Sequence, residues 1–196
     1  MIRAMRRALT MVGVMIGLYP LGVLCHELVG HGLTGVAFGG RIERVEILGL
    51  DVWPRLHWAG WQGHYGNCEV RDVASPAGEQ WMALGGALST WAVSVAALVA
   101  LRLGRWRQPA RAVLTCLSLW WIDMLTYTLP SWGLRRSVFW GQRTFSEPYE
   151  AAVALGMPGW LFQMVVVASS ALLAGALVVT IWKKERPTGP SLESPR

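Results

Sequence analysis

Four long runs of apolar residues constrain this chain more than any other feature. Residues 8–38 are interrupted only by His26, Glu27 and His31, and residues 81–101 carry no charge. Residues 112–134 carry one charge, Asp123, and residues 151–182 carry none. An α-helix rises 1.5 Å per residue, so about 20 apolar residues cross a hydrocarbon core of roughly 30 Å. In lipid the backbone amides must bond within their own segment, which makes helices the economical reading of runs this long. The expected fold class is therefore membrane α-helical, with about four transmembrane helices. Charged residues make up only 15% of the chain, against about 25% in a soluble domain, and that deficit also points to lipid. The last run is expected to become helical near Pro158, because proline suits the first turn of a helix.

Between the first two runs the pattern changes. Gly39-Gly40 reads as a helix stop. Arg41 to Leu48 is rich in β-branched residues and partly alternates, and Cys68 to Val73 reads as a return strand. A small extended or β segment at the membrane surface is the expectation for this region. Residues 1–182 form one expected domain, and the polar tail 183–196, with three prolines, is expected to be disordered.

The net charge of +6 raises the question of nucleic acid. The basic residues, however, sit in short clusters beside apolar runs, and no nucleic-acid-binding motif accompanies them, so no nucleic-acid partner is expected. Eleven Lys and Arg residues fall on one side of a four-span arrangement; seven, mixed with eight acids, fall on the other. The positive-inside rule then places both termini in the cytoplasm of a multi-pass membrane protein. Arg3, Arg6 and Arg7 before an apolar run resemble a signal peptide, but no small-x-small cleavage pattern follows, so the run reads as a membrane anchor. Cys25, Cys68 and Cys116 are too few and too scattered for a disulfide framework.

Chemistry concentrates in His26-Glu27-Leu28-Val29-Gly30-His31. An ionised side chain in an apolar spanning helix costs about 2–3 kcal/mol or more, so such residues default to a functional reading over a neutral, hydrogen-bonded core cluster. Histidine with glutamate beside it is the logic of the HExxH zinc motif: two neutral imidazoles bind the metal, and the carboxylate takes a proton from water. His26 to His31 is read as an HExxH motif, whose histidines by the usual count stand four residues apart. Here they are five apart, about 140° out of alignment on an ideal α-helix, and the expectation is that imidazole reach lets both converge on one ion. Glu27, four residues before His31, shares its face. His57, His64 and Cys68 offer a second cluster in principle, but their irregular spacing reads as surface residues.

The stretch HELVGHGLTGVAFGGRIERVEI resembles the core motif of the site-2 protease family of intramembrane zinc metalloproteases. Leu84-Gly85-Gly86-Ala87-Leu88-Ser89 resembles that family's next element, the small-residue start of a following span. The resemblance implies Zn2+ as cofactor, His26 and His31 as ligands, and Glu27 as the catalytic base. In the family a distant aspartate in an Asn-x-x-Pro-x-x-x-Leu-Asp-Gly context completes the metal site; that motif is absent here. Two acids then compete for the role: Asp123, level with the histidines by depth, and Glu147, which matches the family's late acid in chain order. Glu150 is third.

The expected function is hydrolysis of peptide bonds in a membrane-embedded protein substrate within or beside the lipid bilayer. The substrate is expected to unwind locally and add as a strand to Arg41–Leu48. The alternatives are a non-catalytic membrane scaffold or binding protein that retains the fold, and a small metal transporter.

Overall fold

A computed structural model describes residues 2–61, 63–135 and 145–185. The tail expected to be disordered lies outside the described residues from residue 186 on. The first apolar run is one helix in three parts: α1 (Ile2–Leu24), a π-helical segment (Cys25–Leu33) and α2 (Thr34–Ala37). It stops at the expected glycine pair. Gly39 takes a φ of +86°, which only glycine adopts freely, and the Gly40 amide donates to the Gly35 carbonyl at 2.9 Å.

Residues 41–71 form an antiparallel sheet of β1 (Arg41–Ile47), β2 (Leu50–Trp53), β3 (His57–Trp58) and β4 (Gly66–Arg71), in the order β3-β2-β1-β4. The two expected strands are β1 and β4, and they pair directly, with Val45 opposite Cys68. Leu48 and Gly49 turn the chain into β2 with φ of +53° and +81°, the two-residue geometry whose twist suits a hairpin. One expectation is narrowed here. Val45–Ile47 of β1 is bonded to β2 on one side and β4 on the other, so strand addition to β1 is limited to Arg41–Arg44, whose strand partner is β4 alone. The strands that are edges over their full length are β3 and β4. The sequence hid this because β2 is only four residues long and runs straight into Pro54.

The remaining elements are α3 (Pro76–Leu103), α4 (Gln108–Leu117), α5 (Ile122–Thr128) with a 3-10 turn (Leu129–Trp132), α6 (Glu147–Ala154) and α7 (Gly159–Glu185). Ser75 caps α3, its Oγ accepting from the Gly78 amide at 3.1 Å, and Pro76 occupies the first turn, where its missing N–H costs nothing. Helix α7 starts directly after Pro158, as expected. Residues 151–154, however, belong to the separate short helix α6, so the fourth apolar run is not one helix. Four helical stretches are long and apolar enough to cross a membrane: Ala8–Ala37, Pro76–Leu103, Gln108–Trp132 and Gly159–Lys183.

Close packing of small residues joins the two helices that carry the motifs. The π-segment crosses α3 backbone to backbone: a Cβ on Gly30 would stand 2.8 Å from the Gly85 carbonyl oxygen, and it would overlap Gly86 Cα. In lipid, apolar side chains gain little by leaving the acyl chains, so such backbone contact is what holds helices together. The sheet covers the other side of the π-segment and of α2. A Cβ on Gly32 would press on Ile42 Cδ1 at 2.9 Å, and one on Gly35 on Val70 Cγ1 at 2.8 Å. A buried cluster of Leu84, Ala87, Met124, Ala152, Phe162 and Val166 ties α3, α5, α6 and α7 together. This cluster sets where the start of α6 points.

Candidate metal centre

The two histidines sit in the one stretch of the helix that is not α-helical. The HExxH reading is corrected here: three residues, Leu28, Val29 and Gly30, stand between Glu27 and His31, so the motif is HExxxH, one residue longer than HExxH. An extra residue in an α-helix would turn His31 away from His26. The π-segment Cys25–Leu33 absorbs it. Its i→i+5 bonding makes positions five apart neighbours on successive turns. The expectation that side-chain reach alone bridges the gap is thereby replaced: the backbone does the work, and the rings lie edge to face with centroids 4.9 Å apart.

Outer hydrogen bonds settle which nitrogen of each ring is available. His31 Nδ1 lies 2.8 Å from the Met82 carbonyl oxygen. A carbonyl only accepts, so Nδ1 carries a proton, and in the neutral imidazole Nε2 is the lone pair. His26 Nδ1 lies 2.7 Å from Asp123 Oδ2, which directs its proton outward in the same way. His26 Nε2 is then buried without a hydrogen-bond partner. Both Nε2 atoms converge on the bare backbone of Gly86, where a Cβ would stand 2.5 Å from each. An orphaned buried lone pair, a second one aimed at the same place and a glycine that leaves the space open are what a metal ion requires. The residues fit Zn2+, whose ligands are neutral imidazole and carboxylate.

The acids divide by position. Glu147 opens α6, and its Oε2 lies 3.8 Å from His31 Nε2. Two ligands on one tetrahedral zinc, each about 2.0–2.1 Å from the ion, stand roughly 3.4 Å apart, so Glu147 needs little movement to share an ion with His31. Helix α6 brings it there: Pro148 and Ala151 are buried, and Ser146 Oγ donates to the Tyr127 carbonyl at 2.8 Å. Asp123 is level with the histidines, as its depth predicts. Its Oδ2, however, meets the outer nitrogen of His26 and accepts from Thr90 Oγ1 at 2.9 Å. That carboxylate oxygen orients a ring instead of facing the shared space. Glu150 is exposed on α6.

Glu27 is buried beside the histidines, and one ligand atom from each of His26, Glu27 and His31 lies within 4.8 Å of the others. Among the described residues this is the only such group of three. Gly66, at the start of β4, presses on Glu27: a Cβ there would stand 2.6 Å from its Oε1. A cleft of about 430 Å³ opens beside His26 and Glu27, between α1 and α4–α5, with Tyr19, Tyr65, Trp120 and Tyr127 in its wall. The Tyr127 ring stacks on His26 at 4.8 Å.

His57, His64 and Cys68 do not come together. His57 Nε2 faces Asp51 at 3.3 Å and His64 Nε2 faces Glu46 at 3.2 Å. Cys68 points under β4 toward Gly32. Burial, reinforced by the charges of Glu27 and Glu69, pushes its thiol up to about 12. Sequence reasoning missed Thr90, Tyr127, Ser146, the Met82 carbonyl and the roles of Gly66 and Gly86. Thr90 carried a signal, as a hydroxyl in a charge-free run; a backbone carbonyl carries none.

Compared with known proteins, the chain matches no family model, no curated sequence and no solved structure.

Proposed function

We propose that the chain is a multi-pass membrane zinc endopeptidase of the site-2 protease kind, cleaving membrane-embedded protein substrates. The observation that carries this reading is the convergence on Gly86 of the Nε2 atoms of two buried histidines, that of His26 without a hydrogen-bond partner, with one carboxylate beside them and another 3.8 Å from His31. His26 Nε2, His31 Nε2 and Glu147 would hold the ion. Zinc bound there would supply Lewis-acid chemistry toward water and a carbonyl group. Asp123, anchored by Thr90, keeps the His26 ring in the ligating tautomer. Such outer partners typically contribute 10–100-fold in metal affinity.

Glu27 supplies the proton traffic. Its carboxylate accepts a proton from the attacking water and passes it to the amine that leaves. Gly66 leaves room for that carboxylate, and the aromatic wall of the cleft limits water around it. An extended substrate needs partners for its freed amides, since unpaired polar groups in lipid cost several kcal/mol each. β4 is the edge strand that begins against Glu27, so it is the element on which the substrate strand would add. The excess of Lys and Arg on one side of the four-span arrangement favours a cytoplasmic face for both termini.

The test is Glu27→Gln in purified, membrane-reconstituted protein. The variant should keep its zinc, because the proposed ligands are untouched, and should lose cleavage of a membrane-tethered substrate by at least about a hundredfold, the scale of general-base catalysis. Unchanged turnover overturns the protease reading. Zinc bound by a parent protein that cleaves nothing would instead indicate a binding protein that keeps the centre.

A further inference from the structure

Two groups of arginines differ among the described residues. Those of the sheet are neutralised locally: Arg41 pairs with Glu43 at 2.8 Å, Arg71 with Glu43 at 2.9 Å, and Arg44 with Glu46 and Asp51 at 2.9 and 2.8 Å. Those of the α3–α4 connection are not. Arg102, Arg105, Arg107 and Arg111 occupy ten residues with no acid among them. Among the described residues no carboxylate pairs with any of the four.

This connection is shaped, and it sits where helices end. Trp106 folds back so that its Nε1 donates to the Ala100 carbonyl at 2.7 Å. Its indole covers Gly104, where any Cβ would collide with the ring. Beside this fold lies a cleft of about 350 Å³, lined by Gly104, Arg105, Trp106, Arg107 and Arg111. Its level in the bundle follows from neighbouring contacts. Cys116 Sγ reaches the Met11 carbonyl at 3.8 Å. Arg111 precedes Cys116 by five residues in α4, which puts it about 7.5 Å nearer the end where α1 begins. Arg6, five residues before Met11, stands near the same height. Next to the cleft, Leu103 is 82% exposed. A leucine that open suits acyl chains, and guanidinium groups beside it suit the headgroups above them.

We infer that the α3–α4 cleft binds the phosphodiester headgroup of an anionic lipid. The planar guanidinium offers paired donors that match phosphate oxygens. A basic recess at the end of spanning helices is a site of the type that binds acidic headgroups. The chemistry shared with free phosphate is the phosphate anion; Leu103 and the exposed indole of Trp106, 46% accessible, favour the lipid as its source. The inference needs the spanning arrangement and is independent of the metal centre.

The experiment uses the full chain extracted into neutral detergent. Native mass spectrometry compares retention of phosphatidylglycerol and phosphatidylcholine by the parent, by Arg107→Gln/Arg111→Gln and by the sheet control Arg41→Gln/Arg71→Gln. The parent should retain phosphatidylglycerol preferentially. The cleft variant should lose about thirtyfold in affinity, the factor expected for two arginines at a membrane surface, and the sheet control should match the parent. Calorimetry with inorganic phosphate in the same detergent should show far weaker binding. Undiminished phosphatidylglycerol retention in the cleft variant, or an equal loss in the control, would overturn the site as a diffuse effect of charge. Phosphate binding as tightly as the lipid would overturn the lipid as ligand.

Discussion

The chain has four histidines, and they divide into two pairs in two regions. His26 and His31 lie in the π-segment, each with Nδ1 tied to an oxygen and Nε2 turned toward the same glycine. His57 and His64 lie on the sheet side, and there each Nε2 faces its own carboxylate, Asp51 or Glu46. Those carboxylates are buried and are shared with Arg44, which reaches both. The hydrogen bond to Asp51, with the further charges of Glu46 and Glu69, raises the Arg44 guanidinium above its ordinary value. In the sheet each of the two buried acids is thus held by Arg44 and has one histidine beside it, although His64 Nε2 and Glu46 Oε1 stand 3.2 Å apart without forming a hydrogen bond. The π-segment keeps two lone pairs together with a carboxylate nearby. Having histidines near acids does not make a metal centre; the outer nitrogen must be occupied so that the inner one is free, and two inner ones must meet.

The comparison breaks most decisively at the histidines themselves. His26→Ala should abolish both zinc binding and cleavage, and His57→Ala should leave metal content, measured by plasma mass spectrometry, at the parental level. Zinc retained by His26→Ala, or lost from His57→Ala, would reverse the assignment of the two regions. The acids give the next largest effect. Glu147→Gln removes a proposed ligand, so zinc affinity should fall by more than a hundredfold, whereas Asp123→Asn should cost about 10–100-fold, as outer partners do. The opposite ranking would make Asp123 the ligand and Glu147 the supporting residue.

Deleting Val29 sharpens the same comparison at lower amplitude. It restores four-residue spacing between the histidines, which an ordinary α-helix serves without a π turn. Zinc affinity should stay within about tenfold of the parent, and a large loss would show that the π geometry does more than correct the spacing. The smallest effect concerns Cys68, on the sheet's inner side. Its raised pKa means that the thiolate is scarce at neutral pH and grows as pH approaches 12. Maleimide labelling of Cys68 in folded protein should therefore be slow at pH 7 and faster at pH 9. Rapid labelling at pH 7 would mean that the sheet does not cover the π-segment as described.

Much of the architecture was legible because hydropathy and turn chemistry are local. The apolar runs, the Gly39-Gly40 stop, the start of α7 after Pro158 and the strand character of β1 and β4 each follow from a few neighbouring residues. The place of β1 in the sheet was not legible, because a four-residue strand ending at proline carries little pattern. The division of the third and fourth runs into shorter helices was hidden for a related reason: hydropathy measures how apolar a segment is, not whether its backbone turns.

The candidate site divides along the same line. His26, Glu27 and His31 were readable because ionisable groups in an apolar helix are costly and their spacing is fixed by the chain. What the sequence could not show is that the five-residue interval is closed by a π turn, a backbone choice made together with the Gly30–Gly86 crossing. Nor could it show which acid meets which nitrogen. Asp123 lies 97 residues from His26, and Glu147 arrives on a helix whose direction is set by the packing of Ala151, Ala152 and Pro148. Residue type and local period determined that this chain has helices long enough to span a membrane and a histidine–glutamate motif in the first of them. Only the tertiary structure decided which lone pairs face inward, because that depends on carbonyls, glycines and carboxylates brought together from distant parts of the chain.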